Sequence, residues 1–188
     1  MEENNYDYVK VEQKWQHKWF DAHINVAQKK KHKKFFIHFA YPGVSGYLHV
    51  GHMRGFTYCD VIARYKRMTG YDVLFPAGFH ASGIPSVGFA KKVERNDEDT
   101  LRLLRQNGCT EKEIKKLSDP LEVINYFSTI YVDEYWKRFG FLIDYTRLMN
   151  TISDGYKKFI QWQFHQLHEK NLLTQKRLTK TYYIDIGI

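Results

Sequence analysis

A short apolar run, a glycine-rich loop and an amphipathic stretch follow one another in the first third of the chain. Residues 35–41, FFIHFAY, are apolar and aromatic, which predicts a strand. After the loop PGVSG at 42–46, residues 51–69 repeat apolar side chains at helical intervals, and Gly70 is a typical C-terminal cap. Residues 71–79, YDVLFPAGF, are predicted to be the next strand. This order predicts a βαβ unit with parallel strands and a right-handed crossover.

His49 and His52 stand at the junction between the loop and the predicted helix, in the tetrapeptide HVGH. On the first helical turn both imidazoles would lie on one face, and Gly51 would let a ligand approach the backbone closely. Ligands of a parallel βαβ unit bind beyond the carboxyl ends of the strands, where the helix N-terminus offers free N–H groups. The pattern therefore predicts a nucleotide-phosphate site in which the histidines donate hydrogen bonds.

The histidine pair is also compatible with a metal site or with a purely structural role. It could be half of a zinc site, or both rings could be partly buried helix residues. A zinc site needs further ligands, and although His32, His38 and His80 exist, none completes a second pair with metal-type spacing. No metal ligand set is therefore predicted.

The segments on either side of the βαβ pattern favour helices. Residues 6–23 are predicted to form an amphipathic helix, followed by a solvated lysine-rich connector up to residue 34. Beyond residue 96 the pattern predicts a helical lobe, with helix starts at Ser118-Asp119-Pro120 and at Ser153-Asp154. The last residues, TYYIDIGI at 181–188, are predicted to form a strand.

Charge and cysteine content narrow the class of protein. The chain has 29 Lys and Arg against 21 Asp and Glu, a net charge of +8, which favours polyanions such as RNA or nucleotide phosphates. Only Cys59 and Cys109 are present, without a CxxC pair, which disfavours a disulfide framework and indicates a reducing, cytoplasmic setting. No run approaches the length of an apolar membrane span, so no membrane partner is expected.

The residues around the histidine pair resemble the class I aminoacyl-tRNA synthetases. HVGH is similar to the first signature of that class, and residues 57–85, TYCDVIARYKRMTGYDVLFPAGFHASGIP, resemble leucyl-tRNA synthetases of the archaeal and eukaryotic cytosolic kind. Similarity extends to VEQKWQHKWFDA at 11–22, FGFLIDYTR at 139–147 and KKFIQWQFHQLHEKNLL at 157–173. The resemblance implies an α/β fold, the first half of a Rossmann-like parallel sheet with a helical lobe.

The resemblance also implies site residues, cofactors and partners. His49 and His52 would be catalytic, contacting the ATP phosphates and stabilising the transition state. The implied ATP-binding set is Gly46, His49, Gly51 and His52, and the implied leucine-binding set is Phe39, Ala40, Tyr41 and His80. His80 matches the position that holds the amino group of leucine, where bacterial relatives usually have an aspartate. The implied cofactors are ATP and Mg²⁺, and the implied partners are leucine and tRNA(Leu).

Some residues depart from the family pattern. Gly43 and Val44 follow Pro42 where an aromatic residue is common, and Tyr145 replaces a common tryptophan. RLTKT at 177–181 is similar in residue type to the second class signature, but it directly follows the helical lobe and is interpreted as a coincidence. The chain is therefore expected to hold only the first catalytic half, completed by missing sequence or by a second polypeptide.

The resemblance divides the chain into three parts: an N-terminal helix and basic linker at 1–34, the first half of the catalytic domain at 35–95, and a helical connective segment at 96–188, ending where an editing insertion would begin. The predicted function is ATP-dependent activation of leucine to leucyl-adenylate and its transfer to tRNA(Leu), once the missing half is present. A catalytically silent paralogue that binds RNA or a partner through its positive surface is the alternative. A small nucleotidyltransferase is disfavoured by the long helical segment.

Overall fold

The computed structural model describes residues 6–28 and 33–177. Its first helix, α1, spans Tyr8–Asp21 and begins at Asp7, whose side chain accepts the N–H of Lys10 at 3.0 Å. This agrees with the helix predicted over 6–23. The central part of the lysine-rich connector and the predicted strand at 181–188 lie outside the described residues, as does nearly all of RLTKT.

The predicted βαβ unit is present. Strand β1 (Lys34–Phe36) leads through the glycine loop to α2 (Val50–Met68) and then to β2 (Asp72–Leu74). The two strands are parallel, with Phe35 opposite Val73. The parallel pairing is thus confirmed.

The predicted strands at 35–41 and 71–79 are wrong in extent. The second is interrupted at Pro76, which has no N–H to donate to a ladder, so β2 ends at Leu74. Residues Gly78–Phe79 form a separate strand, β3, which pairs in parallel with β4 (Met149–Asn150) rather than with β1. One apolar run therefore supplies strands to two different two-stranded sheets.

The chain forms two compact units, each assembled from separated segments. The first comprises the described parts of Met1–Tyr41 with Leu48–Ala77 and Thr129–Leu148. The second comprises Pro42–Tyr47, Gly78–Ser128 and the described part of Met149–Ile188. The three-part division expected from the sequence stays a prediction.

The core of the first unit is aromatic. Phe39, just after β1, has its ring centroid 4.3 Å from that of Phe56 on α2 and 5.9 Å from that of Phe75 after β2. Trp136, fully buried on the π-helical segment Tyr131–Lys137, lies 5.4 Å from Phe39 and 5.9 Å from Phe56. These rings pack α2 against the strands.

A buried carboxylate adds a polar anchor for α2. Asp60 accepts the backbone N–H of Leu142 at 2.7 Å and pairs with Nε of Arg64 at 2.6 Å. Arg64 also donates to the carbonyl of Gly140. The middle of α2 is therefore bonded to the turn that follows the π-helical segment.

The second unit is mainly helical. Beyond β3 its helices are α3 (Ile84–Glu94), α4 (Glu98–Gln106), α5 (Glu111–Lys116), α6 (Pro120–Ile130, whose last residues belong to the first unit) and α7 (Asp154–Glu169). Both predicted helix starts are confirmed, because α6 begins at Pro120 and Ser153 caps α7 by accepting the N–H of Tyr156. The helix α3 was not predicted.

Candidate functional site

The histidine pair forms the N-terminal cap of α2. His49 is the cap residue, and its Nδ1 accepts the N–H of Gly51 at 3.1 Å. Nδ1 of His52, in the first turn, accepts the N–H of His49 at 3.4 Å. The two ring centroids lie 4.0 Å apart. The structure thus brings together the two residues that the sequence pattern singled out.

This capping arrangement determines where each neutral ring carries its proton. A backbone N–H can only donate, so Nδ1 of both rings acts as an acceptor and the proton of each neutral imidazole lies on Nε2. No described residue forms a hydrogen bond with either Nε2 atom. Two N–H donors are therefore available to a ligand beside the positive end of the helix dipole.

Burial and charge favour the neutral form of His52. The pKa of His52 is lowered chiefly because partial burial removes water from the ring, and secondly because His49 is a neighbouring titratable base. A neutral ring preserves the acceptor Nδ1 that the helix cap requires. It also keeps Nε2–H as a hydrogen-bond donor.

Gly51 is required by the position of the His49 ring. A Cβ at this position would lie 2.9 Å from Cε1 and 3.0 Å from Nδ1 of His49. Any other residue must therefore displace the imidazole from the cap. The sequence pattern attributed Gly51 to close approach of a ligand, and the structure adds close approach of the imidazole.

The predicted leucine-binding residues of the first unit differ in exposure. Phe39 is buried in the aromatic core, whereas Ala40 is exposed and Tyr41 is half-buried. The ring of Tyr41 lies 5.9 Å from that of His38. The side chain of Phe39 is thus committed to packing, and its backbone carbonyl lies 3.0 Å from Nδ1 of His38.

His80 and Gly46 belong to the second unit. His80 directly follows β3, and its N–H donates to the carbonyl of Pro42 at 2.9 Å, beside a parallel bridge between Gly43 and His80. Its side chain is exposed. The predicted site residues are therefore divided between the two units.

The residues that support the histidine pair were not predicted from the sequence. The ring of Phe56 lies 6.3 Å from that of His52, and Trp136 packs behind Phe56. The spacing of Phe56 from His52, one helical turn, was visible in the sequence. The contribution of Trp136 was not, because it comes from a segment distant in the chain.

Residues 6–28 and 33–177 contain no group of three or more His, Cys, Asp or Glu side chains suited to a metal ion. In the same ranges, every helix is too short or too polar to cross a membrane. Cys59 and Cys109 are both free thiols.

The comparisons with known proteins agree with this geometry. The family described as tRNA synthetases class I (I, L, M and V) matches residues 10–185. A leucine–tRNA ligase of Methanococcoides burtonii is 38% identical over 92% of this chain, and one of Pyrococcus abyssi is 42% identical over 88%. Each alignment covers 18% of the relative, so the chain spans about a fifth of the length of these ligases.

A solved structure has the same fold. In the crystal structure of the ternary complex of Agrobacterium radiobacter K84 agnB2 LeuRS, tRNA and LeuAMS, the LeuRS chain matches with a TM-score of 0.63 and 26% sequence identity. The match covers 89% of this chain and 18% of that one. The parallel βαβ unit with its histidine-capped helix, the family match and the archaeal relatives lead to one conclusion: the chain belongs to the class I tRNA synthetases and corresponds to the N-terminal part of leucine–tRNA ligases.

Proposed function

We propose that this chain is the N-terminal catalytic half of a leucine–tRNA ligase, which activates leucine with ATP and, when the other half is present, transfers it to tRNA(Leu). The observation that carries the proposal is the pair of imidazoles at the N-terminus of α2, both with Nε2–H available for a ligand. Its archaeal relatives are leucine–tRNA ligases, which supports the choice of amino acid.

The proposed chemistry is an in-line displacement. A carboxylate oxygen of leucine attacks the α-phosphorus of ATP, the bond to the bridging oxygen breaks, and pyrophosphate leaves. Negative charge on the phosphate oxygens is stabilised by the Nε2–H groups of His49 and His52 and by the helix N-terminus. The protein supplies positioning and hydrogen bonds and forms no covalent bond itself.

The residues present fit a phosphate better than a bare metal ion. Imidazole N–H groups donate to phosphate oxygens, whereas Mg²⁺ takes oxygen ligands and usually reaches a site with its substrate phosphates. We therefore propose that Mg²⁺ is held by the ATP phosphates and neutralises part of their charge. ATP itself would be held by Gly46, His49, Gly51 and His52.

The leucine site is proposed from the family resemblance. The backbone at Phe39, Ala40 and Tyr41 would contact the amino acid, and His80 would hold its amino group. The exposed imidazole of His80 and the packed side chain of Phe39 support these roles. A cytoplasmic setting follows from the proposed role in protein synthesis and agrees with the two free thiols.

Binding of a non-hydrolysable leucyl-adenylate analogue tests the proposal. Calorimetry on the 188-residue chain should show saturable binding that is weakened at least about tenfold by His49→Ala or His52→Ala, since each variant removes a hydrogen bond to a charged group. His168→Ala, at the end of α7, is the matched control and should bind as the wild type does.

Two results would contradict the assignment. One is binding by the wild type that neither histidine variant changes. The other is no binding by a chain shown to be folded, together with unchanged leucine-dependent pyrophosphate exchange when both histidines are replaced in the longer enzyme.

A further inference from the structure

A cavity of about 600 Å³ lies in the first unit at the C-terminal end of α2. The histidine pair stands at the other end of this helix, about 28 Å away for 19 residues at 1.5 Å each. The cavity is therefore separate from the candidate phosphate site. Its volume falls within the range of about 300–1,000 Å³ that is usual for small-molecule sites.

The walls of this cavity are largely apolar. They are formed by Ile24, Val26, Met68, Val73 and Leu142. These side chains come from the segment after α1, from the end of α2, from β2 and from the turn that follows the π-helical segment. The surface suits the apolar body of a ligand.

Arg67 supplies a cation to the cavity and forms no salt bridge within the described parts of the chain, although the charges of Asp60 and Asp144 act on it. Its Nη2 donates to the carbonyls of Leu142 at 3.0 Å and Asn25 at 3.3 Å, whereas its buried Nη1 has no hydrogen-bond partner among the described residues. Burial lowers the pKa of Arg67, because the charged guanidinium has lost water. Because Arg67 lines the cavity, an anion bound there would lie close to its charge and compensate for the lost water.

The other charged groups at the cavity already have partners. Arg64 is paired with Asp60 at 2.6 Å, and Asp72 is paired with Lys34. Among the described lining residues, every carboxylate therefore has a cationic partner, and none is left to repel an anion.

Two further cations flank the cavity at Tyr71. Lys66 lies with its Nζ 4.7 Å from the ring centroid of Tyr71, and Lys33 lies at 6.0 Å. Together with Arg67 they make the surroundings positive. An ammonium group would be repelled here, so a free amino acid fits less well than a simple acid.

We propose that this cavity binds a small amphipathic carboxylate, with its apolar body against the five apolar side chains and its carboxylate on the guanidinium of Arg67. This ligand site is independent of the histidine pair, and the proposal does not depend on the ligase activity. The ligand class follows from the apolar walls, the volume and the unpaired cation.

Methyl NMR with 4-phenylbutyrate as the probe tests the site directly. Met68 lines the cavity and Met53 lies in the first turns of α2, so in a chain labelled with ¹³C-methyl methionine they report on the two ends of the helix. The variant Met68→Leu identifies the Met68 resonance, because that signal disappears from its spectrum. We expect 4-phenylbutyrate to shift the Met68 methyl saturably while Met53 stays unchanged. The neutral analogue 4-phenylbutan-1-ol should bind at least about tenfold more weakly, since it lacks the charge-assisted hydrogen bond.

The variant Arg67→Met should bind the acid at least about tenfold more weakly and the alcohol unchanged. Arg102→Met, at an exposed arginine of α4, is the matched control and should behave as the wild type does. If Arg67→Met does not fold, Ile24→Trp fills the cavity from its partly exposed wall and should abolish the shift by both compounds. The absence of a saturable Met68 shift in the wild type, or equal affinity for acid and alcohol, would overturn the proposal.

Discussion

The imidazole of His49 caps α2, and in the proposed function it also binds a ligand. Its Nδ1 satisfies the N–H of Gly51, as a serine or aspartate cap would do, and its Nε2–H remains for a ligand. An aspartate cap would leave no hydrogen-bond donor beside the helix dipole, because an ionised carboxylate can only accept. The residue type is therefore selected by both the fold and the proposed chemistry.

Replacing Gly51 tests this double use. In Gly51→Ala the new Cβ would lie 2.9 Å from Cε1 of His49, so the ring must leave its capping position. We expect the leucyl-adenylate analogue to bind at least about tenfold more weakly by calorimetry, with circular dichroism unchanged. Gly55→Ala on the same helix meets nothing within 4 Å and should keep full affinity and gain up to about 1 kcal/mol of stability. Equal affinities of both variants would disprove the close-contact argument.

The protonation of His52 should couple pH to stability. Because burial and His49 lower its pKa in the folded state, the unfolded chain binds a proton more readily near the ordinary imidazole value of about 6.5. The contribution of His52 to the free energy of unfolding is present above a pH of about 6.5 and is lost as the pH falls below it. The melting temperature should therefore fall less between pH 7.5 and pH 5 in His52→Gln than in the wild type, as measured by thermal unfolding.

The control for this titration is Gln163→Asn on the exposed surface of α7, which changes no titratable group and should keep the wild-type pH dependence. An NMR titration of the His52 ring should give a midpoint below about 6.5. A midpoint above that value would contradict the burial argument.

Among the secondary-structure elements, α2 is held by a carboxylate as well as by aromatic packing. Asp60 has 5% of its surface exposed and bonds both Arg64 and the N–H of Leu142. Removing one member of such a group leaves the other partners without compensation. The anchor also fixes the helix that carries the histidines.

The variant Asp60→Asn should lower the free energy of unfolding by about 2 kcal/mol, discounted from the value for a fully buried pair because Arg64 is partly exposed. Urea unfolding followed by circular dichroism measures this change. Asp133→Asn breaks another i,i+4 pair, with Lys137, but both side chains are exposed, so it should cost less than about 1 kcal/mol. A similar loss in both variants would show that burial of Asp60 is unimportant.

For the molecule in solution, the important surface is that of α7. None of its residues is buried, and the aromatic side chains of Phe159, Trp162 and Phe164 are all more than half exposed. The rings of Phe159 and Trp162 lie together, with centroids 5.6 Å apart, and Phe164 adds exposed apolar surface on another side of the helix. Exposed apolar surface of this kind favours association between molecules.

We therefore expect the 188-residue chain to self-associate through α7 as its concentration rises. Sedimentation velocity should show oligomers that the triple variant Phe159→Ser, Trp162→Gln, Phe164→Ser dissolves, without loss of adenylate-analogue binding. A variant with exposed aromatic residues near the start of α1 replaced, Tyr6→Ser with Tyr8→Ser, should associate as the wild type does. A monomeric wild type at millimolar concentration would contradict this expectation.

Much of the candidate site could be predicted from local sequence. Helix starts at Ser153 and Pro120 follow from capping chemistry, and the parallel pairing of β1 with β2 follows from a strand, loop, helix and strand in that order. The proximity of His49 and His52 follows from helical spacing. All of these depend on residues that are neighbours in the chain, where propensity and periodicity operate.

Local sequence was thus sufficient for most of the helices, the parallel βαβ unit and the paired imidazoles. Long-range packing established that residues 71–79 divide between two sheets, that Trp136 supports α2, and that Arg67 reaches Leu142, which is 75 residues away. Strand partners, ring contacts and unpaired buried charges depend on which distant segments meet. No local pattern of side chains carries that information, because each of these contacts joins residues that are neighbours only in the folded chain.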